Sequence, residues 1–113
     1  MAVHPPPSSP TLQGLRDLQR SLEGSAVVAA DPDYDTLRRA WNLVWDQHPA
    51  VIVVAASAAD VSRAVAFAGA NHLGVAVQAT GHGLVRAAED AVLILTSHMD
   101  QVVIDTANGT AWV

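Results

Sequence analysis

The chain has 113 residues, 50% of them hydrophobic and 15% charged, which is the composition of one globular domain. Its net charge of −5 argues against nucleic acid as a partner, and the absence of cysteine excludes disulfides, thiolate zinc sites and iron–sulfur clusters. The first ten residues, MAVHPPPSSP, contain neither the basic nor the apolar region of a secretory signal. No apolar run reaches the about 20 residues that a membrane helix needs. We therefore predict a cytoplasmic protein with no membrane partner.

The N-terminal part is predicted to be a tail followed by a helical segment. Residues 1–10 are rich in proline and serine, so we expect them to be disordered. Residues 11–48 are predicted to form the helical segment. Its first helix is capped by Thr11, and Gly24 is placed to end it. The apolar residues of this helix recur at near-helical spacing: Leu12, Leu15, Leu18 and Leu22.

A second helix is predicted after a short strand at residues 26–30. Asp31 and Pro32 have the pattern of an N-cap followed by proline at the first helical position, and Pro49 stops the helix. Four apolar residues fall on one face of this helix: Tyr34, Leu37, Trp41 and Val44.

Residues 49–113 begin with the pattern of a β-α-β unit. The continuous apolar run at residues 50–55 is typical of a strand that is buried on both faces of a parallel sheet. Ser57 and Asp60 have the spacing of a capping box, and Gly74 is placed as a left-handed helix cap. A second strand follows at residues 75–78.

Three further strands are predicted after this unit. The first spans residues 91–96, and two more at 102–104 and 111–113 form a hairpin around Asn108 and Gly109. A last strand that ends on Trp112 and Val113 leaves an apolar edge uncovered, which leads us to expect a truncated domain.

The loop after the strand at 75–78 carries the chemistry that we consider. Its two glycines, Gly81 and Gly83, allow a ligand to approach the backbone, and Thr80 adds a hydroxyl donor. A simple strand-to-loop turn explains the same glycines, because G-x-G alone is not specific for phosphate. His82 is either an exposed or structural histidine or a nucleophile toward an electrophilic cofactor carbon. The remaining histidines and carboxylates lack the spacing of a metal site, and we assign no metal and no catalytic residue.

Four stretches, in order, carry a family resemblance. They are Tyr34-Asp35 with Arg38 and Trp41-Asn42; residues 49–54 with Ser57, Asp60-Val61 and Ala64-Val65; residues 74–77 with Thr80-Gly81-His82-Gly83; and residues 91–94 with Met99, Val102 and Asp105. Together they resemble the N-terminal part of the FAD-linked oxidase family with a PCMH-type FAD-binding domain, related to vanillyl-alcohol oxidase and the berberine-bridge-enzyme branch. The resemblance implies an α+β fold: the first lobe of that domain at residues 49–113, with a small, mostly parallel sheet and a following β segment.

The resemblance also implies the cofactor, its site and the reaction. Residues of the loop would hold FAD at its pyrophosphate: Gln78, Ala79, Thr80, Gly81, His82 and Gly83. Of these, His82 would be the point of covalent flavin attachment. The implied activity is oxidation by hydride transfer from substrate to FAD, usually with oxygen as the acceptor, and a small-molecule substrate is expected only in a full-length protein. Many relatives have arginine where Gln78 stands and glycine where Thr80 stands. The loss of that arginine removes a fixed positive charge near the phosphates, which predicts weaker binding.

A function of another class stays open at this point. The short chain is alternatively a non-catalytic remnant or interaction module without bound FAD, which pairs its open sheet with a partner or with itself. FAD binding and the molar mass of the purified chain distinguish the two hypotheses.

Overall fold

The structure is a computed structural model that describes residues 10–113, so the predicted disorder of residues 1–9 lies outside the described part. This part of the chain forms three helices and six strands, and its last four strands follow one another with no helix between them. Their bounds are α1 Leu12–Ser21, β1 Ser25–Val27, α2 Tyr34–Leu37, β2 Val51–Val54, α3 Ala58–Ala70, β3 Gly74–Gln78, β4 Ala91–Leu95, β5 Val103–Asp105 and β6 Thr110–Trp112.

A four-stranded sheet in the order β1-β2-β4-β3 forms the centre of the fold. Strands β2, β4 and β3 are parallel, and β1 pairs with β2 in the antiparallel direction. The predicted mostly parallel sheet with a β-α-β unit is therefore confirmed, with β4 lying between the two strands of that unit. The continuous apolar runs of β2 and β4 are buried throughout, as expected for inner strands of a parallel sheet.

The two faces of the sheet are covered to different extents. Helices α1 and α3 pack on one face, where Leu18 and Phe67 contact the core formed by β2 and β4. The other face is covered by a smaller cluster around Tyr34, whose hydroxyl donates a hydrogen bond to the carbonyl of Pro49 at 2.7 Å. Among the described residues, the only helix of this second cluster is the four-residue α2, which leaves space for the loops that follow the strands.

The second helix was predicted wrongly. α2 ends at Leu37, and the expected core residues Trp41 and Val44 are 66% and 87% exposed. The helix also begins later than predicted, because the Asp31 carboxylate accepts a hydrogen bond from the N–H of Val28 instead of capping the helix. We call residues 38–48, which contain no helix and are hydrogen-bonded to Gln78 and Thr80, the strap.

Two further predictions about helix ends need correction. Ser57 caps α3 as expected, but the Asp60 carboxylate does not complete a capping box. It accepts hydrogen bonds from the N–H groups of Glu23, Gly24 and Ala56, and so ties the start of α3 to the β1 segment. The left-handed residue after α3 is His72, with φ of 55°, and Gly74 is already the first residue of β3.

The C-terminal hairpin forms a separate two-stranded sheet. β5 and β6 pair in the antiparallel direction, each within one residue of the predicted bounds. Asp105 fixes the turn, since its carboxylate accepts hydrogen bonds from the N–H groups of Ala107 and Asn108. Within residues 10–113, no helix is long and apolar enough to cross a membrane.

Candidate functional site

The carboxyl ends of the three parallel strands lie side by side. The N–H of Ala55, just after β2, donates to the carbonyl of Leu95 at 3.0 Å, and the N–H of Thr96 donates to the carbonyl of Gln78 at 3.0 Å. The loop that follows β3 therefore starts at this edge of the sheet. Ligands of open parallel sheets bind outside the carboxyl ends of the strands, so the edge is the expected place for a site.

The loop at residues 79–83 owes its shape to the strap. The N–H of Trp41 donates to the carbonyl of Thr80 at 3.0 Å, and the Thr80 hydroxyl accepts a hydrogen bond from the N–H of His82 at 3.2 Å. Gly81 has φ of 74°, and a Cβ atom there would lie 2.9 Å from the Cβ of Ala40. Both the left-handed conformation and the close packing require glycine at position 81.

Gly83 differs from Gly81 in its surroundings. A Cβ atom at Gly83 would meet no atom of the described chain within 4 Å, and its φ is not in the left-handed region. Within residues 10–113, the N–H groups of Gly81 and Gly83 donate no backbone hydrogen bond. Free N–H groups in a tight loop at this edge have the chemistry that holds a phosphate anion.

The imidazole of His82 is exposed and lies against the indole of Trp41. The two ring centroids are 4.5 Å apart, and the ring planes are inclined by 46°. No hydrogen bond to the imidazole is found among the described residues, so both ring nitrogens face solvent or a ligand. This contact could not be predicted from the sequence, because Trp41 has the spacing of an apolar helix face.

Gln78 is buried, and its amide is bonded within the protein. Its Oε1 atom accepts from Nε2 of Gln47 at 2.8 Å, and its Nε2 atom donates to the carbonyl of Arg39 at 3.1 Å. Gln47, itself 0% exposed, bonds the carbonyl of Arg38 and the N–H of Ala88. Gln78 thus anchors the strap beneath the loop, and the loop itself is what stays open to a ligand.

The guanidinium of Arg38 is paired with two carboxylates, those of Asp35 and Asp46. The hydrogen bond to Asp35 and then that to Asp46 raise the pKa of the Arg38 guanidinium above its ordinary value. In return, the Arg38 hydrogen bond lowers the pKa of Asp46. Because Arg38 is already neutralised in this way, it joins the strap to α2 and is not a free cation for a ligand.

An open cleft of about 420 Å³ adjoins the loop and is lined by residues 76–86. It brings together all six residues that the sequence assigned to the cofactor site. Within residues 10–113, no three histidine, aspartate or glutamate side chains are grouped so that they could hold a metal ion.

Comparison with known proteins identifies the family. Residues 49–113 match the family described as FAD binding domain. The chain belongs to this family. An FAD-linked oxidoreductase of Bacillus subtilis (strain 168) named YvdP, otherwise uncharacterised, is 30% identical over 95 residues, which cover 81% of this chain and 21% of that protein.

Solved structures show the same relationship. The 6-hydroxy-D-nicotine oxidase of Arthrobacter nicotinovorans superposes with a TM-score of 0.74 at 27% identity, covering 80% of this chain and 20% of the oxidase. The BBE-like 1 protein of Physcomitrella patens shares the fold, with a TM-score of 0.72 at 23% identity over 86% of this chain and 22% of that protein. The FAD binding domain described here thus spans about a fifth of the length of these relatives.

These findings confirm the predicted relation to FAD-linked oxidoreductases, the fold class and FAD as the cofactor. The residues present fit such a group. The loop at 79–83 offers free N–H groups, an open backbone at Gly83 and an exposed imidazole beside one cleft.

Proposed function

We propose that residues 78–83 form the pyrophosphate side of an FAD site. The observation that carries this proposal is that the N–H groups of the buried Gly81 and the exposed Gly83 donate no backbone hydrogen bond within residues 10–113, at the carboxyl edge of the sheet. Thr80 adds a hydroxyl that still has a proton to donate, since it only accepts from His82. Gln78 contributes by holding the strap, while residues 79–83 contact the ligand.

We propose His82 as the point of covalent flavin attachment. Its imidazole is exposed and free of hydrogen bonds within the described chain, so a ring nitrogen is available as a nucleophile. Attachment would join an imidazole nitrogen of His82 to a flavin methyl carbon in place of one N–H and one C–H bond, with two protons lost to solvent. Bound flavin would take up the two electrons, and dioxygen would accept them from it.

The bound flavin supplies a hydride acceptor for oxidation of a small-molecule substrate, with dioxygen as the final acceptor. Residues 49–113 act in this proposal as the first lobe of the FAD-binding domain, with residues 11–48 packed on it as the N-terminal segment. The substrate class and a cytoplasmic location stay predictions.

The test is flavin retention after denaturation. Purified protein is incubated with FAD, precipitated with acid and washed, and the visible flavin absorbance of the pellet is measured. We expect a yellow pellet for the natural chain and a colourless one for His82→Ala. His98→Ala removes another exposed histidine and serves as the matched control. Flavin that washes out of the natural chain contradicts covalent attachment, and absence of any FAD binding before precipitation contradicts the site itself.

Self-association is a second property that one observation favours. The hairpin of β5 and β6 exposes Val103, Ile104 and Trp112 by 49%, 71% and 76% of their surface. Contiguous exposed apolar residues mark interaction surfaces. We propose that this hairpin pairs with a second copy of the chain when nothing else covers it.

A further inference from the structure

The cleft beside the loop has a charge that differs from that of the whole chain. The protein carries a net charge of −5, with 11 acidic residues against 6 basic ones. The residues that line the cleft nevertheless include no aspartate or glutamate. Its ionisable side chains are His82 and Arg86 alone. In an acidic protein, a cleft with this lining favours an anionic ligand.

Most of the other arginines of the described chain are paired elsewhere. Arg20 and Arg63 lie near the carboxylates of Asp17 and Asp60, at 3.8 and 3.5 Å. Arg38 is bonded to two carboxylates of its own segment. No arginine other than Arg86 lines the cleft. Among the ion pairs of residues 10–113, none includes Arg86. Arg86 is therefore the cation available to an anion there.

The segment that carries Arg86 is fixed to the same network as the loop. Two residues beyond it, the N–H of Ala88 donates to Oε1 of the buried Gln47 at 3.0 Å. Gln47 in turn bonds Gln78, at the start of the loop. The backbone on both sides of the cleft is thus held by one pair of amides, while the Arg86 side chain itself is exposed.

We propose that Arg86 binds the diphosphate of FAD, together with the backbone of residues 79–83. This assignment rests on the proposed function of the loop. A guanidinium presents a planar fork of N–H donors that matches phosphate oxygens, and it stays charged at every physiological pH. Arg86 is in this account a binding residue that distinguishes phosphorylated flavins from riboflavin.

The first experiment compares ligands that differ in phosphate. FAD and riboflavin are titrated into the natural chain, Arg86→Gln and Arg86→Lys at low salt, and the dissociation constants are measured by flavin fluorescence. We expect Arg86→Gln to weaken FAD binding by about three- to tenfold, with Arg86→Lys between the two and riboflavin unchanged. Arg16→Gln, which removes an exposed arginine of α1 far from the cleft lining, is the matched control. Equal FAD affinity of the natural chain and Arg86→Gln overturns the assignment and leaves the FAD site standing.

A second measurement tests whether Arg86 binds a diphosphate even if the natural chain binds no FAD. Inorganic pyrophosphate is titrated into ¹⁵N-labelled chain, and the Nε–H signal of Arg86 is followed by NMR together with the amides of residues 79–83. A saturable shift of both in the natural chain, with the shift of the 79–83 amides lost in Arg86→Gln, supports the diphosphate assignment even though the proposed FAD function has failed. Absence of any shift at Arg86 overturns the assignment.

Discussion

Replacing Gln78 by leucine tests whether the buried amide pair holds the strap under the loop. The substitution keeps a side chain of similar size and removes two hydrogen bonds, one with Gln47 and one with the carbonyl of Arg39. Each such bond contributes about 1 kcal/mol net, and a buried donor left without a partner costs about 1–3 kcal/mol. Gln47 is fully buried, so water cannot replace the hydrogen bond that its amide loses. We expect Gln78→Leu to lower the free energy of unfolding by about 2–4 kcal/mol, a large part of the about 5–15 kcal/mol of an ordinary domain.

The assay is urea unfolding followed by circular dichroism, with a double-mutant cycle between positions 47 and 78. Gln47→Leu alone also loses bonds to Arg38 and Ala88, so it should cost more than Gln78→Leu. The double variant should be about 1–2 kcal/mol more stable than the sum of the two single effects predicts. The reason is that each single substitution leaves the other amide without its partner, and the double variant removes both amides. Gln101→Leu, at an exposed position, is the control and should change stability by less than about 0.5 kcal/mol.

Two results would refute this reasoning about the strap. One is a Gln78→Leu variant as stable as the Gln101→Leu control. The other is a coupling near zero, which would mean that the two amides act independently. A site-level readout accompanies the cycle: the ring-current shift of the His82 imidazole protons, produced by the indole of Trp41, should decrease when the strap is released.

Three further predictions concern stability, the loop and association. Burial alone would raise the pKa of Asp60, but hydrogen bonds from backbone N–H groups and the charge of Arg63 outweigh it and lower the pKa below its ordinary 3.8. The contribution of Asp60 to the free energy of unfolding is therefore complete at neutral pH and is lost as the pH falls through the lowered value. The melting temperatures of the natural chain and Asp60→Asn should converge in acid, and a constant difference between them down to pH 2 contradicts this. Gly81→Ala should destabilise the chain by at least about 1 kcal/mol, whereas Gly83→Ala should leave the melting temperature unchanged and weaken FAD binding. A lower melting temperature for Gly83→Ala than for Gly81→Ala contradicts these separate roles of the two glycines. Trp112→Lys should shift the chain toward monomer in light scattering at increasing concentration, and an unchanged molar mass rules out the hairpin as the contact.

The parallel sheet could be predicted because its signals are local. The apolar run of β2 reflects burial on both faces, and Ser57 caps α3 through a bond to a residue three positions away. Neither feature depends on the rest of the chain. Such patterns persist in the folded protein because burial and capping agree with the local preference of the backbone.

The end of the second helix could not be predicted, since it depends on residues far away in sequence. In a longer helix, the carbonyls of Arg38 and Arg39 would accept bonds from the N–H groups four residues on. Here they accept from the amides of Gln47 and Gln78, which are 9 and 39 residues away. A local pattern of apolar spacing carries no information about such partners, and tertiary bonds override it.

Glycine stands at positions 81 and 83 of the loop for two different physical reasons, which the sequence alone does not distinguish. Gly81 is required by the fold, because its left-handed backbone packs on Ala40 of the strap with no space for a side chain. Gly83 has open space around it and an ordinary conformation, so nothing within the described chain demands glycine there. A glycine that packing within the chain does not require often marks a place where a ligand or another chain approaches the backbone closely. Of the G-x-G pattern, Gly83 is therefore the position that indicates a ligand, and Gly81 is the one that shapes the loop to receive it.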